Sequence, residues 1–125
     1  MSDLNTIKDT VISAIEDIKG FDITVLDVTK LTSMTSYMIV CSANSSRQTK
    51  AIANNIYVDV KTKGFEPRGM EGQKEGEWVL VDLDDIIIHI MTPATRTYYN
   101  LEQLWGGEGG HISADTASDL DTTAS

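Results

Sequence analysis

Near the start of the chain, apolar residues recur every three or four positions, the spacing that gives a helix one apolar face. This pattern predicts a first helix over about residues 4–19. Ser2 or Asp3 is the expected N-cap, and Gly20 is expected to end the helix in the left-handed conformation. The apolar positions of this helix are Leu4, Ile7, Val11, Ala14, Ile15 and Ile18.

Two further helices are predicted from cap residues and spacing. Residues 44–48 contain a serine cap, and the helix that follows should run to about Lys63 and stop at Gly64. Its inner stripe consists of Ile52, Ile56 and Val60. Thr92 and Pro93 form a strong helix start, with Thr as the cap and Pro in the first turn. The face of this last helix that we expect against the sheet consists of Ala94, Tyr98, Leu101 and Trp105.

Strands are indicated where apolar residues alternate with polar ones or run without interruption. Residues 23–28 alternate, and residues 37–42 form the continuous run typical of a strand buried on both faces. The single cysteine, Cys41, lies in this run, so we expect it to be buried and to form no internal disulfide. Residues 65–70 predict a short strand that Pro67 places at a sheet edge.

The segment 78–91 carries the most information, because it contains two apolar strands joined by an acidic turn. A two-residue loop at Asp84 and Asp85 would fix the antiparallel register. The expected pairs are Leu83–Ile86, Asp82–Ile87, Val81–Ile88, Leu80–His89, Val79–Ile90 and Trp78–Met91. Side chains alternate across a sheet, so one face becomes wholly aliphatic and belongs in a core. The other, which we call the mixed face, carries Trp78, Leu80, Asp82, Ile87, His89 and Met91.

The mixed face has two interpretations at this stage. Its combination of a Trp, a Met, an acid and an imidazole suits a partner surface or a site better than a dry interior. Alternatively, helices cover both faces of the sheet, and His89 and Asp82 are core polar residues with hydrogen-bond partners. The sequence leaves both interpretations open.

Composition and charge narrow the class of protein and of partner. The 125 residues, 41% of them hydrophobic, are typical of one soluble domain. No apolar run approaches the ~20 residues of a membrane span, and the first residues lack signal-peptide features, so we expect a cytoplasmic protein. The net charge of −9 disfavours direct binding of nucleic acid and favours a basic protein partner.

The order of elements predicts how the chain is organised. Helix, strand, strand, helix, three strands and helix favour an α/β domain with a single mixed sheet of about five strands flanked by helices. We expect this domain to span residues 1–106. Residues 107–125 contain four acids, no Lys or Arg, and much Gly, Ser and Thr, which predicts a disordered acidic tail.

Taken together, these landmarks resemble the ribosomal silencing factor family, also called Iojap-like proteins. The matching segments follow one another in order over residues 4–105. They are residues 17–20, 25–28, 35–42, 44–48, 50–53, 71–72, 78–82, 85–90, 98–102 and 104–105, together with Arg96. The chain departs from the family pattern at Ser36, Ala43, Asp84 and Thr92, but it keeps the Trp, Asp and His of the mixed face.

The resemblance implies a docking factor rather than an enzyme, with a nucleotidyltransferase-like topology that lacks the catalytic motif. Members of the family bind the large (50S) ribosomal subunit through the basic ribosomal protein uL14. They sterically block association with the small subunit and so repress translation in starvation or stationary phase. Related organellar proteins act in large-subunit assembly, which is the alternative function. No cofactor, metal or membrane is implied, and an exposed apolar patch would favour a weak homodimer when the factor is free.

The mixed face supplies the residues that we expect to contact such a partner. Trp78 and Leu80 are the expected apolar anchors, and Asp82 is expected to meet a Lys or Arg. His89 and Met91 would complete the patch.

Residues of helical segments are weaker candidates. The last helix must bury one of its two adjacent tyrosines, and core packing is favoured for Tyr98, which leaves Tyr99 for the partner. For Arg47 and Arg96, a docking role and an internal ion pair or helix-end contact remain equally open.

Two enzymatic interpretations are weaker still. Asp82 and Asp84 have the spacing of a metal-binding pair in nucleotidyltransferases, but the chain contains no Gly-Ser turn to hold a phosphate. Aspartate is also favoured at a hairpin turn for backbone reasons alone. Asp82 and His89 lie diagonally on one face, but no nucleophile is placed beside them.

Overall fold

The computed structural model describes residues 4–100, in which three helices accompany one five-stranded sheet. In chain order the elements are α1 Leu4–Asp17, β1 Phe21–Asp27, β2 Tyr37–Ser42, α2 Ser46–Thr62, β3 Gly69–Glu71, β4 Trp78–Asp82, β5 Ile86–Met91 and α3 Pro93–Tyr99. The predicted fold class, an α/β domain with one mixed sheet, is confirmed. The predicted acidic tail, the caps at Ser2 or Asp3, and Leu101 and Trp105 lie outside the described residues.

The sheet has the strand order β1-β2-β5-β4-β3. β2 and β5 pair in parallel, and the other neighbours pair antiparallel. Parallel pairing needs a long crossover between the strands, and here α2, β3 and β4 supply it. The continuous apolar runs of β2 and β5 therefore lie next to each other inside the sheet, where all but one residue of each strand is buried.

The main core lies between the aliphatic face of the sheet and the helices α1 and α2. Because α1 and α2 each present a stripe of apolar residues, they pack against each other and against this face. The buried thiol of Cys41 belongs to this core, and burial raises its pKa to about 12. None of the helices within residues 4–100 is long and apolar enough to cross a bilayer.

The hairpin of β4 and β5 has the predicted register. Trp78 faces Met91, Leu80 faces His89, and Asp82 faces Ile87. At the turn, Leu83 N donates to Ile86 O at 2.9 Å, and Asp84 adopts a positive φ of 75°. The strands are connected as expected, so the division into an aliphatic face and a mixed face is confirmed.

The ends of α2 match the prediction, whereas the end of α1 does not. Ser45 caps α2 as predicted, because its hydroxyl accepts from Gln48 N at 3.1 Å, and Gly64 follows the helix with a φ of +85°. The prediction for Gly20 was wrong, since Lys19 takes the left-handed conformation, with a φ of 67°. Gly20 is instead required by close packing, because a Cβ there would lie 2.4 Å from Ile15 Cγ2.

The last helix differs most from its prediction. Thr92 occupies the cap position, but its hydroxyl donates to Thr95 Oγ1 at 3.0 Å instead of capping a backbone N–H. No residue of α3 is buried. Ala94 and Tyr98, which we expected against the sheet, are exposed, so the predicted inner stripe is wrong for the described part of the helix.

Candidate functional site

The mixed face of β4 and β5 continues onto the neighbouring strands β2 and β1. The parallel register places Met38 beside Ile87, and Val40 beside His89. On the β1 and β2 side, this face has a small core of its own, with Leu26 and Trp78 packed against its edge. The buried members of this second cluster are Val28, Met38, Val40 and Met91. The rest of the face, toward β4, is more open, because Leu80, Asp82 and Ile87 are only half-buried.

The six predicted contact residues lie at different depths. Trp78, Leu80 and Asp82 are half-buried, and Tyr99 is exposed. His89 retains 7% of its exposure and Met91 none, so neither presents a surface that a partner could cover. Their place in the structure is beneath Trp78, where they support its ring.

A hydrogen bond joins the two most distinctive side chains of the face. Trp78 Nε1 donates to His89 Nδ1 at 2.9 Å, so the imidazole carries no proton on Nδ1. Burial lowers the pKa of His89 to about 4, and the ring is therefore neutral at physiological pH. His89 thus fits the alternative that we left open, a buried polar residue with a satisfied hydrogen bond.

Asp82 has a structural role at the hairpin turn. Its Oδ1 accepts from Asp84 N at 2.8 Å, which supports the left-handed residue of the turn. Asp84 in turn pairs with Arg68 at 3.0 Å across the exposed surface. Next to this turn is an open cleft of about 330 Å³, whose floor includes Met38 and Ile87. Within residues 4–100, no group of three or more His, Cys, Asp or Glu is arranged to hold a metal ion.

Three aromatic rings form a continuous cluster at the other end of β4. The ring centroids of Trp78 and Tyr99 are 4.6 Å apart, and those of Tyr99 and Tyr98 are 4.8 Å apart in an edge-to-face arrangement. Tyr98 is 48% and Tyr99 45% exposed. The prediction that Tyr98 packs in the core was therefore wrong, because the helix keeps both tyrosines at the surface. We call Trp78, Tyr98 and Tyr99 the aromatic cluster.

Arg96 makes internal contacts, whereas Arg47 is exposed in the first turn of α2. Arg96 Nη1 donates to Ser42 Oγ at 2.9 Å and to the backbone oxygen of Asp22. Its Nη2 donates to Thr24 Oγ1 at 3.1 Å. These bonds connect α3 to β1 and to the end of β2. Sequence reasoning had left the role of Arg96 undecided, because nothing in the pattern places α3 over these strands.

Comparison with known proteins shows which family this chain resembles in sequence and structure. Residues 2–125 match the model of a family described as ribosomal silencing factor during starvation. The chain is 49% identical over 106 residues to a ribosomal silencing factor of Chromobacterium violaceum, covering 85% of this chain and 87% of the relative. A crystal structure of a protein from the same organism superposes with a TM-score of 0.82 at 46% identity, covering 90% of this chain and 95% of that one.

A relative with lower sequence identity is named for a role in ribosome assembly. The mouse protein called mitochondrial assembly of ribosomal large subunit protein 1 is 30% identical over 100 residues, which are 78% of this chain and 44% of the relative. The similarity thus extends to a protein named for assembly of the large subunit.

Proposed function

Because the chain belongs to the ribosomal silencing factor family, we propose that it binds the large ribosomal subunit and prevents its association with the small subunit. The partner that we propose on the subunit is the basic ribosomal protein uL14, and the result of binding is repression of translation. One observation carries the proposal. The long helices α1 and α2 pack on the aliphatic face, which leaves Trp78, Leu80 and Asp82 half-open on the mixed face.

The indole of Trp78 is suited to be covered by a protein partner. Its one hydrogen-bond donor is already satisfied by His89, so burial under a partner leaves no unpaired polar atom. The rings of His89 and Tyr99 also lie next to it, with ring centroids 5.7 Å and 4.6 Å away. A ring held in this way loses little conformational freedom on binding, which favours affinity. Trp is also enriched among the residues that contribute most to interfaces.

The charge of the surrounding surface suits a basic partner. Asp82, Asp84 and Asp85 lie together at the hairpin turn, and Arg68 offsets only part of their charge through its ion pair with Asp84. With a net charge of −9, the whole chain would be drawn toward a basic surface, and salt would weaken this attraction.

Sedimentation tests the proposed function directly. Purified large subunits are mixed with the protein and separated on a sucrose gradient, with and without added small subunits. We expect the protein to migrate with the large subunit and the joined particle to decrease. Protein that stays at the top of the gradient, together with normal joining of the subunits, would contradict the proposal.

Surface variants test whether the mixed face is the binding surface. Trp78→Ala and Asp82→Lys should both remove co-migration while circular dichroism shows a folded domain. Val58→Ala and Asp9→Lys are matched controls, because Val58 and Asp9 are exposed on α2 and α1, away from the mixed face. A folded Trp78→Ala protein that binds as well as the Val58→Ala protein would rule out this surface.

Large-subunit assembly is the second candidate function, and the name of the mouse relative favours it. The two functions predict different binding partners within the cell. An assembly factor should migrate with incomplete large subunits, and its depletion should cause these precursors to accumulate. A silencing factor should migrate with mature subunits, and its depletion should leave the precursors unchanged.

A further inference from the structure

The third helix is attached to the sheet in an unusual way. A short helix normally depends on an apolar stripe packed against its neighbours, because seven residues form too few hydrogen bonds to be stable alone. In α3, however, none of the seven residues is buried. The described part of this helix therefore needs another kind of attachment.

A polar cleft separates α3 from the first strands of the sheet. Its volume is about 630 Å³, and its walls include Asp22, Thr24 and Ser42 on the strands and Arg96 and Asn100 at the helix. Arg96 spans this cleft with its guanidinium group. A planar guanidinium presents five donors in a fixed fork and can hold acceptors from two strands at once, whereas a lysine offers three donors on a single nitrogen and matches such separated acceptors less well.

Two acceptors of Arg96, Asp22 O and Thr24 Oγ1, lie at an irregularity in β1. The register between β1 and β2 shifts between Phe21 and Thr24, and Asp22 takes a positive φ of 51° at this point. Irregularities of this kind redirect backbone groups. The backbone oxygen of Asp22 accepts a hydrogen bond from Arg96. The hydroxyl of Ser42 on β2, a residue that is only 2% exposed, accepts a second one.

Arg96 is also next to the aromatic cluster on the helix surface. Residues three positions apart are neighbours on a helix, so Arg96 and Tyr99 lie on the same side of α3. Holding Arg96 over the strands therefore determines where Tyr99 lies. Its ring lies 4.6 Å from Trp78, and the left-handed residue Asn100 ends the helix directly afterwards.

We propose that Arg96 is a positioning residue for the docking surface. Its hydrogen bonds to β1 and β2 hold α3 so that Tyr99 packs against Trp78, and this contact orients the indole toward the partner. The effect on ribosome binding rests on the proposed function. The effect on the environment of Trp78 does not, and it can be measured on the free protein.

The test follows the accessibility of Trp78 to acrylamide. Trp105→Phe provides a background in which Trp78 is the only tryptophan. In this background, Arg96→Gln should raise the quenching of Trp78 to the level produced by Tyr99→Ala. Arg96→Lys, which keeps the charge but not the planar group, should give an intermediate value. Arg47→Gln is the matched control and should change nothing.

A double variant separates positioning from a general structural role. If Arg96 acts through Tyr99, then Arg96→Gln added to Tyr99→Ala should cause no further quenching. Additive effects, or a Trp78 signal that Arg96→Gln leaves unchanged, would overturn the inference. Should Arg96→Gln fail to fold, Thr24→Val and Ser42→Ala each remove one acceptor and provide the same comparison.

Sedimentation with large subunits then measures the consequence for docking. We expect Arg96→Gln to weaken binding about fivefold, which corresponds to the ~1 kcal/mol of an aromatic pair. If Arg96→Gln and Tyr99→Ala are coupled in quenching but binding is unchanged, Arg96 positions Tyr99 in the free protein and its role in docking is overturned. Loss of binding by Trp78→Ala in the same experiment would show that the proposed surface still holds.

Discussion

Acidification should destabilise this protein through a single histidine. The folded state holds His89 neutral, with a pKa of about 4, because the ring is buried against Trp78. An unfolded chain returns the imidazole to a pKa of about 6.5. Between these two pH values, the unfolded chain binds more protons than the folded one. The contribution of His89 to stability is therefore complete above about pH 6.5 and is lost as the pH falls through 4.

The two pKa values set the size of the effect. Each unit of difference corresponds to about 1.4 kcal/mol, so the full loss below pH 4 is about 3 kcal/mol. At pH 5 the unfolded imidazole is almost fully protonated while the folded one is still mostly neutral. The free energy of unfolding should therefore be about 2 kcal/mol lower at pH 5 than at pH 7 from this residue alone. Such a change is a large fraction of the stability of a small domain.

Urea unfolding at a series of pH values measures this loss. The matched control is His89→Asn, which keeps an acceptor near the position of Nδ1 but does not titrate in this range. Carboxylates affect both proteins equally, so the difference between the two pH profiles isolates His89. Parallel profiles between pH 7 and pH 4.5 would refute the reasoning. An imidazole pKa near 6.5, measured by NMR in a His111→Gln background, would refute it as well.

Substitutions at three further positions test the local structure, each by the change in the free energy of urea unfolding. Gly20→Ala should destabilise by about 1–3 kcal/mol, because the new Cβ would lie 2.4 Å from Ile15 Cγ2, and a neutral effect would show that Ile15 can move. Lys19→Gly should stabilise by about 1 kcal/mol, since glycine adopts the φ of 67° without steric cost, and destabilisation would contradict this conformation. Ser45→Ala should cost about 1 kcal/mol through loss of the α2 cap, whereas Ser45→Asp should be tolerated, and equal losses in both would argue against capping.

The hairpin shows how far the sequence can predict the site. Two apolar strands around Asp84 and Asp85 allow few registers, because a shift by one residue would move the aliphatic side chains out of the core. The register of β4 and β5 was therefore predictable, and with it the set of residues on the mixed face. Their depth was not, because the cluster of Val28 and Met38 that buries Met91 comes from distant parts of the chain.

The third helix shows why the rest could not be predicted. Apolar spacing suggested that Tyr98 faces the sheet, since buried stripes hold most helices. Here Arg96 makes the attachment, and two of its acceptors lie on an irregular strand more than seventy residues earlier. Sequence spacing contains no information about such a contact. The same holds for the end of α1, where Lys19 takes the left-handed conformation and Gly20 is packed closely against Ile15.

The central position of β5 has a consequence for the order of folding. β1 can pair with β2 soon after both are made, and β3 can pair with β4, but neither pair completes the sheet. β5 connects them, and its parallel pairing with β2 closes a loop of more than forty residues, a step that is slow in comparison with local pairing. A chain still in synthesis before Ile86 thus has two separate strand pairs with exposed apolar edges. The sheet can be completed only after β5, its last strand in the chain, has been synthesised and has left the ribosome.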